Sequence, residues 1–580
     1  MRRKGCQWGL PPTRSGPVFV EFPRLKPTPS ARRRIPQGAA GRVLLVTTAS
    51  TQTRRRWVLA PADAFGLAVL RDRLLGPVYR AGMLGWIVPL AMMLLGAVLR
   101  FSNLAHPHLL IFDETYYVKD AYTMMQAGYE LEWGDDPNDS FIAGQPAPST
   151  AASFVVHPPL GKWLIAGGMW LFGTDNGLGW RFSSALFGTL AVLLCALVAQ
   201  RLFSSVVLGG IAGLLAAVDG HQIVTSRTGL LDIFLMFFIL AAFYALLIDR
   251  SHGREKLASI LATADGSRPA DRLLAYGPWL WWRPWRLVAG IMLGCAAGVK
   301  WSALSFIAVF GLMTVLWDLS ARRRVGIRHW MLGGLLRDGI PAFLLIIPTA
   351  ALVYVATWSG WLFSSGGRYR QWGAQNPSET WGWVPDVWRS FGEYHRAAYA
   401  FHQGLSSPHS WESSPWSWLF AGRPVLFFYE SRSNGEYGCT TADCVQAITD
   451  LPNPIMWWAA TLSLLLVLFY WIGARDWRAG AILSALAAGF LPWFAYPDRT
   501  MFFFYTLPFA PFMVLALCYV IARFLPSAEQ SLWQRRRALW GIGIFLALVV
   551  ALSAFFLPVW TGDMITYNSW RNHIWMPSWG

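Results

Sequence analysis

HPHLLIFDETYYVKDAY (residues 106–122) sets Asp113 beside Glu114 just after the first long apolar stretch, with Tyr116, Tyr117 and Tyr122 around them. An acidic pair at the edge of a membrane helix is costly to keep near lipid, which makes it a candidate functional site. The dipeptide alone fits a solvated turn or a pair of charges at a helix N-terminus equally well. What flanks it decides between these readings.

The chain has 580 residues, 54% hydrophobic and 14% charged, with a mean hydropathy of +0.36. Soluble domains carry about 25% charged residues, so the composition is that of an integral membrane protein. The net charge of +17 does not argue for nucleic acid. Lys and Arg gather at the ends of apolar runs and in the N-terminal arm, the pattern of positive-inside topology.

A helix crossing the ~30 Å hydrocarbon core needs about 20 mostly apolar residues. Eleven candidates fall near 82–100, 182–202, 205–221, 229–248, 286–300, 302–318, 339–357, 455–473, 480–496, 501–522 and 539–558. The fold class is therefore an all-α polytopic membrane protein. Residues 1–80, with Arg triplets at 32–34 and 54–56, read as a disordered basic cytoplasmic arm. Within it, 65–80 is expected to lie on the membrane surface as a short amphipathic helix. Residues 81–580 form the transmembrane domain, and 158–172 is expected to be an interfacial or re-entrant helix.

With the arm inside, the loops 101–180 and 358–454 fall outside, and the Arg triplets 322–324 and 535–537 fall inside, as the positive-inside rule requires. The loop 358–454 contains Trp358, Trp361, Trp372, Trp381, Trp383, Trp388, Trp411, Trp416 and Trp418. These read as an interfacial belt or as a platform for sugar rings. Cys439 and Cys444, in GCTTADC, lie in this loop, where an oxidising compartment favours a disulfide. No His pair accompanies them at zinc-ligand spacing. Cys195, Cys295 and Cys518 sit in apolar runs and read as small buried hydrophobes.

Polar groups recur at the external ends of the expected helices. HPPLGK (157–162) brings His157 and Lys162, GWRFSSALFG (179–188) brings Arg181, and DGHQIVTSRTGLLD (219–232) brings Asp219, His221, Arg227 and Asp232 around a short connection. GVKWSALS (298–305) adds Lys300, and PDRT (497–500) adds Asp498 and Arg499. Each alone has a plain explanation, such as a snorkelling lysine or a hydrogen-bonded histidine. One polar cavity on a single membrane face accounts for all of them together. In it a carboxylate can deprotonate a nucleophile, and Arg and Lys can stabilise negative charge on a phosphate leaving group.

As a set, FDETYY, HPPLGK, WRFSSALFG, RTGLLDIFLMFF, VKWSAL and SPHSWESSPWSW (407–418) resemble the protein O-mannosyltransferase family from about residue 80 to the end. The loop 358–454 is too short for the β-trefoil domain of the fungal and animal enzymes, so the chain is similar to the bacterial, actinobacterial-type form. The resemblance implies a GT-C fold of eleven transmembrane helices, with a helical first external loop in the active site, in the plasma membrane. It also implies mannose transfer from polyprenyl-phosphate mannose to Ser or Thr of translocating proteins, with inversion; the secretion translocon is then an expected neighbour. Asp113 is expected to be the base, with Glu114 orienting the acceptor or holding nearby cations; the reverse assignment is the alternative. Arg181 is expected at the donor phosphate, with Lys300 and Arg227 second, and His157, Lys162 and Asp232 in support. No cofactor is required, although the acidic pair could bind a divalent metal weakly.

A related GT-C transferase with a lipid or glycan acceptor would share this layout. A lipid or polysaccharide transporter would place charges along a path through the bilayer and carry Gly/Pro-broken helices in matching halves. Neither feature is evident.

Overall fold

The structure, a computed structural model, describes residues 66–76, 81–263, 268–436, 439–527 and 529–580. The expected arm up to residue 65 lies outside them. Residues within its last part form helix α1 (Leu67–Leu75). This helix does not lie free on a surface. Leu70 and Leu74 are buried against Leu257, Ala258 and Leu261, and Arg71 pairs with Glu255.

The apolar runs become helices because a backbone in lipid must satisfy its own polar groups. Together with polar helices between them, the helices in chain order are α2 (Leu84–Phe101), α3 (Glu114–Ala127), α4 (Leu160–Phe172), α5 (Gly177–Phe203), α6 (Val206–Val218), α7 (Gly220–Ser226), α8 (Asp232–Ala262), α9 (Pro284–Val299) and α10 (Ala303–Arg324). They continue as α11 (Trp330–Thr357), α12 (Asp386–Gly404), α13 (Pro454–Ala474), α14 (Trp477–Ala495), α15 (Phe503–Phe524) and α16 (Leu532–Thr561). Among the described residues nine helices are long and apolar enough to cross a membrane. The bent pair α6–α7 and the shorter α9 are the remaining two of the eleven expected segments.

Residues 220–226, expected as part of a short connection, are helical and turned by 60° from α6. Asp219 occupies the bend and accepts from the Asn453 backbone N–H at 3.1 Å. A side chain at Gly220 would run into Trp560 and the Leu451 carbonyl, so glycine lets α7 turn beneath α16. The carbonyls of Ala216 and Ala217, freed at the bend, accept from Arg100 at 3.1 Å each. α8 and α15 form the centre of the bundle, with 78% and 89% of their apolar windows buried, whereas α2, α11 and α16 are only 22% buried. The latter three leave apolar surface for lipid.

Two small sheets join the helices. β1 (Leu131–Trp133) pairs with β2 (Pro148–Ala152), and β3 (Val425–Ser433), β4 (Asp443–Asp450) and β5 (Ile565–Thr566) form an antiparallel sheet in that order. Cys439 and Cys444 are disulfide-bonded at the β3–β4 turn. The second sheet adds strand structure to a loop expected to be without it. In the same loop Trp358 and Trp361 close a small core around Tyr394, and Trp418 is fully buried.

Candidate active site

The acidic pair divides its two carboxylates between different surroundings. Phe112, just before it, has left-handed backbone (φ 49°), a conformation that costs a bulky residue energy and must be held by its surroundings. Here its ring stacks on Phe427 at 4.6 Å and meets Phe504 edge-on at 5.6 Å. That packing turns the chain into α3, with Asp113 at the N-cap and Glu114 in the first turn.

Glu114 is fully buried. It accepts from Arg181 at 2.7 and 2.8 Å, from the Gly229 N–H at 2.7 Å and from the Ile111 N–H at 3.0 Å. A Cβ at Gly229 would press on Val118 and the Trp180 carbonyl at 3.2 and 3.3 Å, so a side chain there would crowd the backbone where it approaches the carboxylate. The rest of the Arg181 guanidinium donates to the carbonyls of Pro107 and Leu109 at 2.9 Å and of Leu104 at 3.4 Å. Arg181 is the residue expected at the donor phosphate. Its fork is consumed by Glu114 and by the 104–109 turn, which it fastens to α5.

Arg227, also expected at the phosphate, is engaged at a helix end. It donates to the carbonyls of Arg100, Ser102 and Asn103 at 3.1, 2.6 and 3.2 Å, capping the last turn of α2. Lys162 is buried and pairs with Glu130, with Asp120 at 3.9 Å, which joins α4 to α3 and to the residue before β1.

Asp113 is different. Its side chain is only partly buried and makes no N-cap bond to α3. Burial raises its carboxyl to about 6 against the pull of Lys300, with Asp232 adding to the rise and Tyr117 hydrogen-bonded to it. A carboxyl in that range accepts a proton near neutral pH far better than an ordinary one. Lys300, at the end of α9, donates to Asp232 at 2.7 Å at the start of α8. Its ammonium also lies 5.6 Å from the ring centres of Phe504 and Tyr505.

Lys300 and Asp232 line a cavity of about 330 Å³ together with His157, His402, Trp301, Trp493, Tyr505 and Arg499. The aromatic walls come mainly from helix ends. The tryptophans named in the 358–454 loop are not among the residues lining this cavity. His157 and His402 lie 5.4 Å apart. Burial, with Lys300 and Arg499 nearby, holds His157 well below its ordinary value, and burial and Arg499 hold His402 at about 4. Both are neutral at pH 7.

Arg499 also lines the cavity. Its Nη2 is 3.5 Å from His402 Nδ1, and its Nε is buried with no acceptor among the described residues. The signal was present: PDRT is a charged break between two apolar runs. His402 and Trp493 carried no comparable signal. Alongside the cavity, an apolar groove of about 480 Å³ runs past Trp301, Leu304, Ile347 and Tyr354. Among the described residues no three His, Cys, Asp or Glu side chains are grouped to hold a metal ion.

Comparison with known proteins gives this geometry its family. Residues 90–264 match the family model described as dolichyl-phosphate-mannose-protein mannosyltransferase, and residues 387–579 match the C-terminal four-TMM region of protein-O-mannosyltransferase. A polyprenol-phosphate-mannose–protein mannosyltransferase of Mycolicibacterium smegmatis is 39% identical over 87% of this chain and 94% of its own length. The Mycobacterium tuberculosis protein of the same name is 37% identical over 87% and 93%. A solved chain of the Saccharomyces cerevisiae protein O-mannosyltransferase Pmt1–Pmt2 complex, bound to the sugar donor, has the same fold. It superposes with a TM-score of 0.63 at 16% identity, covering 88% of this chain and 94% of that one. The helical membrane bundle, the divided acidic pair and these matches together make the chain a member of the protein O-mannosyltransferase family.

Proposed function

We propose that this enzyme transfers mannose from polyprenyl-phosphate mannose to the hydroxyl of Ser or Thr in proteins. The observation that carries the mechanism is the division of the acidic pair. Glu114 is held by Arg181, while Asp113 faces the Lys300–Asp232 pair with a carboxyl near 6. Asp113 takes the proton from the acceptor hydroxyl as its oxygen bonds to the anomeric carbon. The bond from that carbon to the phosphate oxygen breaks on the opposite face, and polyprenyl phosphate leaves with the electron pair. In-line attack of this kind inverts the anomeric centre.

Lys300 and Arg499 are assigned to the leaving phosphate, because they are the cations lining the cavity. Asp232 holds Lys300 in place, and His157 and His402, being neutral, are suited to hydrogen bonds with sugar or phosphate. Cationic side chains can stabilise phosphate charge as a metal ion would, so the reaction is assigned no metal cofactor. The apolar groove beside Trp301 suits an isoprenoid chain in its composition.

We assign the cavity to the external face of the plasma membrane and the N-terminus to the cytoplasm. Support comes from the basic ends of the helices that leave the site. α10 starts just after Lys300 and ends in Arg322, Arg323 and Arg324, and positive charge marks the cytoplasmic side. Acceptors are then met as they emerge near the secretion translocon. Membranes containing the enzyme, given labelled polyprenyl-phosphate mannose and a Thr-rich peptide, should label the peptide. Label found only in lipid or glycan would replace the protein acceptor with another GT-C acceptor.

A further inference from the structure

The end of the bundle away from the active site carries two sets of charges with different balance. In one set, Arg283, Arg286 and Arg322 are matched by Asp249, Asp318 and Asp338, all buried and mutually bonded. Beside it lie Arg250, Arg254, Arg324 and Arg478, near enough for the other three to repel Arg250. This second set lacks matching carboxylates. Asp318 attracts Arg250 but is already held by Arg283 and Arg286. Asp476 pairs with Arg478 at 3.2 Å and is shared with Arg523 at 3.3 Å.

Arg254 spends two donors on the carbonyls of Leu74 and Trp317. Arg250 spends none among the described residues, although it is only 8% exposed. Its guanidinium lies on Trp477, 3.4 Å from the ring centre, with Trp317 at 5.7 Å, and its Nε is buried with no acceptor. A buried guanidinium stacked on one face keeps its in-plane donors for an acceptor, and planar donation of this kind suits phosphate.

The depth of the cluster points to the source of the phosphate. Arg250 and Arg254 follow Asp232 by 18 and 22 residues along α8, which at 1.5 Å per residue is about 27 and 33 Å from the active-site end. That is about the thickness of the hydrocarbon core, so the arginines lie at headgroup level in the opposite leaflet. Trp471, Trp281 and Trp282, 47%, 64% and 70% exposed, are of the type that lines a membrane interface.

We propose that the ends of α8, α10 and α14 opposite the active site bind the phosphate of an anionic phospholipid headgroup, seated on Arg250 and flanked by Arg254, Arg324 and Arg478. The site is independent of the mannosyl-transfer reading and stands or falls separately from it. Arg324 is exposed and draws the headgroup in, while Arg250 makes the close contact.

The test is native mass spectrometry of the full chain in detergent, with phosphatidylglycerol or phosphatidylcholine added at equal concentration. Wild type should retain one phosphatidylglycerol at least about fivefold more than phosphatidylcholine, the effect of one arginine near a lipid headgroup. Arg250→Gln should abolish that preference, and Arg324→Gln should weaken it about fivefold. Inorganic phosphate that competes with phosphatidylglycerol would support phosphate as the recognised group. Equal retention of the two lipids, retention of free phosphate with no lipid preference, or an unchanged preference in Arg324→Gln would overturn the proposal. Arg324→Gln alters only an exposed side chain and therefore decides the matter even if Arg250→Gln fails to fold.

Discussion

Replacing Arg181 separates a structural role from a donor-binding one. Its guanidinium gives two bonds to Glu114 and three to the carbonyls of Leu104, Pro107 and Leu109. Arg181→Met removes all five, leaving a buried carboxylate with only the N–H groups of Gly229 and Ile111. Breaking a buried pair from one side costs about 3–5 kcal/mol, a large part of a typical folding free energy. With an unfolding entropy of about 2.1 cal/mol/K per residue over roughly 500 residues, this corresponds to a fall in Tm of about 3–5 °C. Arg181→Lys keeps the charge but loses the planar fork, so it should fall between Met and wild type. Thermal unfolding in detergent gives the stability, and initial rates against donor concentration give KM. A phosphate ligand would behave in the opposite way, with Arg181→Met unchanged in Tm and raised only in donor KM. That result would refute the assignment of Arg181 to the scaffold.

Arg499→Gln should raise donor KM about tenfold or more with little change in Tm, since it removes a charge-assisted bond of about 1.5–3 kcal/mol from a side chain at the cavity. Gly229→Ala should lower Tm and expression, because its Cβ presses on Val118 and the Trp180 carbonyl; full stability would show that Val118 and the Trp180 backbone can shift away. The Asp113 carboxyl near 6 makes activity fall as pH drops through 6, so kcat/KM should rise to a plateau above about pH 7. Its folded value lies above the ordinary 3.8, so the folded chain binds this proton more tightly, and stability is lost as pH rises from about 4 to 6. Asp113→Asn should therefore be at least as heat-stable as wild type at pH 7, as unfolding scans would show. Reduction before alkylation should change the mass at both Cys439 and Cys444, as their disulfide requires.

The membrane bundle was legible because hydropathy is local, and all eleven apolar segments became helices. The bend at Asp219 was not, since α6 and α7 form one continuous apolar and polar-tipped run and only the tertiary contacts of Gly220 with Trp560 and Leu451 require the turn. The β3–β4 hairpin was hidden in an aromatic loop that reads equally well as surface helices. At the site, Asp113, Asp232 and Lys300 were legible as charges at helix ends. The partnership of Glu114 and Arg181, 67 residues apart, was not. An arginine beside a carboxylate pair looks the same in sequence whether it serves a phosphate or the fold. His402 and Trp493 come to the cavity from distant segments and acquire meaning only when α12 and α14 meet α9.

The most direct test compares Asp113→Asn with wild type in membranes carrying equal amounts of each protein, with labelled polyprenyl-phosphate mannose and a Thr-rich peptide. Loss of a general base lowers rate by about 10²–10⁴-fold. The account predicts a loss of that size with donor binding and thermal stability retained. Near-normal transfer by Asp113→Asn would contradict it and move the base to another residue.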